Sequence, residues 1–244
     1  RGINNHYNQA EIDLRTDLIR QISYASDADI VYQIASKDCL EAGYGAVYVT
    51  REYENDDTFQ QCIRIKPIED FQSAFWDPTA QLPDKSDGDF CGFYKVMSKE
   101  TFKRFYPDIE APEDVTNNYY LRWNTRDTIL IAYLWKKEYY TKKIVLLSDG
   151  TEMDADEAKE VLEKQAEILA NNPDAELLGF EPVEIVNERE SKAYNIKHIK
   201  FVQNHILDEA DWPGKYLPVV FFEGDSVVID GERIPLPFIQ DAID

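Results

Sequence analysis

The chain has 244 residues, 43% hydrophobic and 13% aromatic, which is enough apolar content to bury a core and to exclude wholesale disorder. Lys plus Arg number 26 against 47 Asp plus Glu, and the formal net charge of −21 argues against a general nucleic-acid binder, since phosphate binding needs concentrated cations. No apolar run approaches the ~20 residues that span a bilayer.

Residues 8–26 read as a helix, with Ile12, Arg15, Leu18, Ile19 and Ile22 at three- and four-residue spacings. Ser26-Asp27-Ala28-Asp29 is expected to cap a second helix over 28–42, with Val31, Ile34, Ala35 and Cys39 as its apolar stripe. Gly43 fits the left-handed position after that helix. From Gly45 the period changes to two, and a hairpin is expected over 45–68 with Asn55-Asp56-Asp57 at its turn. The chain turns again at Trp76-Asp77-Pro78, because proline biases Asp77 toward extended backbone. An acidic loop, 84–89, precedes a strand over 90–96. Ser98 then caps a short helix that Pro107 stops.

Residues 111–118 read as a loop. Residues 128–140 and 142–147 look like two paired strands, followed by the turn Ser148-Asp149-Gly150. A helix is expected over 155–170, opened by Asp154 and stopped at Asn171-Asn172-Pro173. Further strands are read at 183–186, 193–202 and 217–222, then a hairpin over 226–234 around Asp230-Gly231. The expected fold class is α+β: an N-terminal helical pair (8–42), a mostly antiparallel β-rich core of hairpins with inserted helices (45–150), and a helix plus β-hairpin part (154–244), all as one region. The N-terminus, Arg1-Gly2-Ile3-Asn4-Asn5-His6, has no apolar signal-peptide segment and no initiator Met, so a fragment of a longer chain is expected.

Few residues suggest chemistry. Cys39, Cys62 and Cys91 form no CxxC pair, and three half-buried thiols are expected. GxSxG, HExxH and GxxxxGK[ST] are all absent. His6, His198 and His205 lack metal-ligand spacing, and His198, within a strand pattern, reads as a satisfied structural or surface histidine. The sharpest enzymatic alternative is a metal-dependent nuclease. Asp174 and Glu190 would share a divalent metal, and Lys192 would stand beside the attacking water. That pattern is short and arises easily among 47 acids. Asp84, Asp87 and Asp89 lack the acid alternation and late Glu of a calcium loop, so a solvated acidic turn is the simpler reading. Trp76, Trp123, Trp135 and Trp212 are surrounded by acids, which favours core anchoring over a nucleic-acid stacking face. No catalytic, cofactor or metal residue is assigned.

Several segments together resemble the portal proteins of short-tailed, podovirus-type bacteriophages. The resemblance runs through Glu41-Ala-Gly-Tyr-Gly-Ala-Val-Tyr-Val-Thr-Arg-Glu-Tyr-Glu54, Ile65-Lys-Pro-Ile68, Phe75-Trp-Asp-Pro-Thr-Ala80 and Asp84-Lys-Ser-Asp87. It continues in order through Met97-Ser-Lys-Glu-Thr-Phe102, Tyr106-Pro107, Ala132-Tyr-Leu-Trp135 and Leu146-Leu-Ser-Asp-Gly150. Asp211-Trp-Pro-Gly-Lys-Tyr-Leu-Pro218 and Phe222-Glu-Gly224 complete it. The last segment departs from the family, with Pro237 and Gln240 where a glycine and an arginine are usual. The resemblance implies the outer wing region of a portal, without most of the stem and clip. It implies a structural, non-catalytic role in a dodecameric ring at one capsid vertex of the virion, assembled in the host cytoplasm. Such rings nucleate head assembly with capsid and scaffold proteins, dock the terminase, pass DNA during packaging and ejection, and bind the tail. No membrane partner and no cofactor are implied.

Overall fold

A computed structural model describes residues 9–110, 125, 127–171, 182–203 and 205–239. Two helices, α1 (Gln9–Ala25) and α2 (Ala28–Ala42), lead into β1 (Tyr44–Tyr53) and β2 (Gln61–Pro67). A 3-10 turn, Phe71–Ser73, precedes β3 (Ala74–Trp76), β4 (Phe90–Ser98) and α3 (Lys99–Phe105). Then come β5 (Thr128–Leu147), β6 (Glu152–Asp154), α4 (Ala155–Asn171), β7 (Ile185–Val202) and β8 (His205–Trp212). β9 (Val219–Glu223), β10 (Asp225–Ile229) and β11 (Glu232–Leu236) close the chain. The fold is α+β with mostly antiparallel strands, as the alternating and helical periods predict.

The chain divides into two compact units, one of Arg1–Lys137 with Ile196–Asp244 and one of Glu138–Asn195. In the larger unit, β2, β1 and β9 form an antiparallel sheet with β1 central. α2 lays Val31 and Ala35 on Val47 and Ile65 of that sheet. Two glycines permit the close approach. Gly43 takes φ 88 after α2 and donates its N–H to Cys39 O at 2.9 Å. At Gly45 a Cβ would stand 2.0 Å from Ala35 O, so any side chain there pushes β1 off the helix. A second sheet runs in the order β3-β4-β5-β7-β8, with β5 up to Lys137 and β7 from Ile196 belonging to this unit. Phe102 of α3 packs beneath it against Ile129, Ile131 and Val202, all fully buried. Ser98 caps α3 by accepting the Thr101 N–H at 3.1 Å. β10 and β11 form a separate ribbon, turned by Asp230 and Gly231 at φ 53 and 86, the two positive values a type I′ turn requires.

In the smaller unit, β6 pairs with residues 144–146 of β5. α4 places Ala158 on Val145 and Leu147, with Met153 and Val183 beside them. The Gln165 side-chain amide imitates a strand partner: Oε1 accepts the Val183 N–H at 2.9 Å and Nε2 donates to Val183 O at 3.2 Å.

The structure corrects the expected elements at four places. The segments read as paired strands at 128–140 and 142–147 are one continuous strand, β5. Its side chains are buried near both ends and exposed over 138–141, so the polar middle imitates a turn. Likewise the separate strands expected at 183–186 and 193–202 are one, β7, which starts at Ile185 and runs through an exposed stretch. β8 was not expected. No element is read from the sequence over 205–212, and pairing with β7 supplies what the sequence pattern lacks. Finally, Asp27 stands at the start of α2 in a left-handed conformation without a side-chain cap. Ser26 Oγ accepts the Ile65 N–H at 3.0 Å instead, tying the interhelical corner to β2. The loop expected at 111–118 lies outside the described residues.

Candidate functional site

The residues weighed as a nuclease do not assemble among the described residues. Asp174 lies outside them. Glu190 and Lys192 are both exposed on β7, two residues apart and therefore on one face of the strand. No group of three or more His, Cys, Asp or Glu residues that could hold a metal occurs among the described residues. His6 and Trp123 also lie outside them, and His205 is exposed at the start of β8.

His198 is half-buried on β7. Its ring stacks on Trp135 with centroids 4.5 Å apart and an interplanar angle of 10°. Burial, with the Lys200 charge adding to it and Asp208 opposing, pulls its pKa down to about 4. Contrary to the expectation of a satisfied histidine, Nε2 is buried without a hydrogen-bond partner among the described residues. Trp135 is buried, and Trp212 meets it edge-on at 6.2 Å. Trp76 is likewise packed, against Tyr44 and Phe221. Three of the four tryptophans thus anchor packing within the larger unit. All three cysteines are free thiols, and burial pushes Cys91 up to about 12.

A compensated charge cluster is the most organised polar feature of the larger unit, and it gathers segments distant in sequence. Asp77 directs one carboxylate oxygen at the Thr79 N–H (2.9 Å) and hydroxyl (2.7 Å) and the other at the Asp89 N–H (2.9 Å). Burial raises the Asp77 carboxyl, but these donors and the Lys137 charge outweigh it and hold the pKa below its ordinary value. Asp87 gathers the loop from the other side by accepting the N–H groups of Gln81 and Leu82. Lys137 Nζ donates to Ser86 O at 3.2 Å, and its own N–H donates to Asp89 O.

Within this loop Lys85 takes φ 56 and sends its side chain inward, where it is 4% exposed. Its Nζ lies 3.4 Å from Glu223 Oε1 and 5.5 Å from the centroid of Trp76. The other Glu223 oxygen meets Arg233 Nε at 2.8 Å, an ion pair without hydrogen-bond alignment. Arg233 Nη1 reaches back to Gln81 O at 3.4 Å. The loop over 77–89, the end of β9 and the β10–β11 ribbon are therefore tied through one buried carboxylate. A cleft of about 310 Å³ opens beside the cluster, lined by Tyr44, Phe75, Trp76, Pro78 and Arg233 among others.

Each charge in the cluster has its counterpart, and no nucleophile stands against a base. Such an arrangement holds a surface in shape. The sequence reading missed Lys85, Lys137, Glu223 and Arg233, and treated 84–89 as a solvated turn. The available signal was slight: one lysine among loop aspartates, and one Glu ending an apolar strand. Lys136, Lys137, Lys142 and Lys143 all lie on β5, but Lys137 is buried and Lys142 pairs with Asp154 at 3.8 Å.

The segments meeting here, Phe75–Ala80, 84–87 and 222–224, are ones on which the portal resemblance rests. No curated protein matches the chain. The family model of phage P22-like portal proteins matches residues 5–244. With nearly its whole length matched, the chain belongs to the phage P22-like portal protein family, a structural and non-enzymatic one.

Proposed function

We propose that this chain is the wing region of a portal ring, one of twelve copies at a single vertex of the virion. Through that ring DNA is packaged and later ejected. Capsid or scaffold proteins, the terminase and the tail are its partners, and assembly takes place in the host cytoplasm. The observation that carries this reading is the family match across residues 5–244. The compensated cluster around Glu223 is compatible with it, since a ring subunit needs fixed surfaces and has no need of a reactive centre. The net charge of −21 is compatible as well, because a channel through which DNA slides should not hold phosphate.

The test is electron microscopy of the full-length parent protein. The expected result is closed rings, since a head-to-tail interface closes when its rotation returns to the start. Monomers or twofold dimers at all concentrations and salts would overturn the proposal. The nuclease alternative predicts Mg²⁺- or Mn²⁺-dependent DNA cleavage that disappears in Glu190→Ala and Lys192→Ala. The portal reading expects intact DNA.

A further inference from the structure

Phe59 is the most exposed of the large apolar side chains among the described residues, at 97%. It stands at the tip of the β1–β2 hairpin, close after Asp56 and Asp57, whose carboxylates are exposed and without partners among the described residues. Hydrogen bonds hold the tip in shape. The Glu54 N–H donates to Gln60 O at 2.9 Å, the Asp57 N–H to Asn55 Oδ1 at 3.0 Å, and the Gln60 N–H to Thr58 Oγ1 at 3.1 Å. A lone exposed apolar residue is ordinary on a protein surface. An aromatic ring raised beside two unpaired acids on a fixed tip has the form of a knob.

The same unit carries a matching hollow. The cleft beside the Glu223 cluster has a volume of about 310 Å³, at the small end of the ~300–1,000 Å³ usual for ligand pockets. Tyr44, Phe75 and Trp76 wall it with aromatic surface, against which another ring packs edge-on or offset. Arg233 is the one charged residue on its lining among the described residues. Its Nε faces Glu223 and its Nη1 reaches Gln81 O, while Nη2 has no partner among the described residues. Glu223 is shared by two cations, Lys85 and Arg233, so positive charge is left over at the cleft for an incoming carboxylate.

Knob and hollow sit at opposite ends of one strand. Tyr44 opens β1 and Tyr53 closes it, and ten extended residues at ~3.3 Å each span about 30 Å. A copy therefore cannot fill its own cleft with its own tip. A foreign partner would need only one of the two features. Complementary features at opposite ends of one element are what a head-to-tail contact between identical copies requires.

We propose, resting on the portal-ring reading above, that Phe59 of one copy seats in the Tyr44–Trp76–Arg233 cleft of its neighbour, with Asp56 or Asp57 meeting the Arg233 guanidinium. One ring in one cleft buries far less than the ~1,200–2,000 Å² of a stable interface, so this contact sets register beside others and does not hold two copies together alone.

The test introduces p-benzoylphenylalanine at Phe59 of the full-length parent, irradiates the assembled protein and maps the cross-links by mass spectrometry. The expected products join position 59 to residues 74–80 or 233, and mixing isotope-labelled with unlabelled copies shows the link to be between copies. Phe59→Ser, at an exposed position and verified as folded by circular dichroism, should raise the concentration at which half the protein is in rings at least ten-fold, about 1.4 kcal/mol or more. Phe59→Tyr should restore assembly, and Asp56→Asn/Asp57→Asn should weaken it less than the serine change. Rings whose cross-links fall elsewhere would overturn the proposal and leave the portal reading standing, as would a Phe59→Ser variant that assembles like the wild type. A wild-type parent that forms no rings would overturn the portal reading and this contact with it.

Discussion

Glu223 ends β9 with its side chain 1% exposed, held between Lys85 and Arg233. Two ions taken out of water are stable together only while both remain, because a partner left alone keeps its desolvation cost without compensation. Glu223→Ala strands the buried Lys85 ammonium. The expected loss is about 3–5 kcal/mol, read as a lower urea midpoint with an unchanged slope. A loss under about 1 kcal/mol would mean that both cations escape to solvent, as at an exposed pair. His198 offers a pH test at the same scale. Its folded pKa of about 4 lies below the ordinary 6.5, so the unfolded chain binds the proton more readily. Its contribution is fully present above about pH 6.5 and is lost as the pH falls through about 4. His198→Phe keeps a ring against Trp135 and removes the titration. Stability curves between pH 7 and 4 should fall more steeply for the wild type than for the variant. Parallel curves would show that other groups set the acid sensitivity.

Among elements, α3 is short, and two residues hold it: Ser98 at its cap and Phe102 beneath it, 0% exposed. Ser98→Ala removes one acceptor and should cost about 1 kcal/mol. Phe102→Ala opens a cavity among Ile129, Ile131 and Val202 and should cost about 3–5 kcal/mol. If equilibrium unfolding gives the two equal costs, α3 contributes its cap alone and the cluster collapses around the gap. β5 makes a different point. Period-two patterning marks a strand only where one face is covered, and over 138–141 its side chains are exposed. Backbone pairing persists there without a sequence signature. Hydrogen exchange should find protected amides within 138–141, whereas a turn between two strands would exchange quickly.

For the molecule as a whole, a charge of −21 sets how copies and nucleic acid approach it. Placing acidic chains side by side costs repulsion that salt screens, and the proposed wing region would lack part of the ~1,200–2,000 Å² that stable interfaces bury. Light scattering on this chain should find monomers or weak association at micromolar concentration, strengthening with added salt. A tight symmetric dimer at low salt would point away from a portal ring. DNA affinity should be weaker than about 1 µM at about 0.15 M salt, the strong end of the non-specific range. A gel shift below that concentration would reveal a local cationic track.

Taken by itself, the amino-acid order determined the local structure. It marked α1 and α2 by their periods, the left-handed Gly43, the Ser98 cap and the Asp230-Gly231 turn, because each follows from neighbours within a few residues. The ordered run of motifs also carried the family, because no single one needed spatial context. Tertiary structure alone decided which charges are buried. Lys85 is far along the chain from Glu223 and Arg233, and a lone lysine in an acidic loop reads as solvated until β9 and β11 are brought to it. It also decided that β5 and β7 run unbroken and that β8 is a strand. Strand pairing satisfies backbone groups, which every residue but proline carries in the same form, so the side-chain sequence holds little record of it.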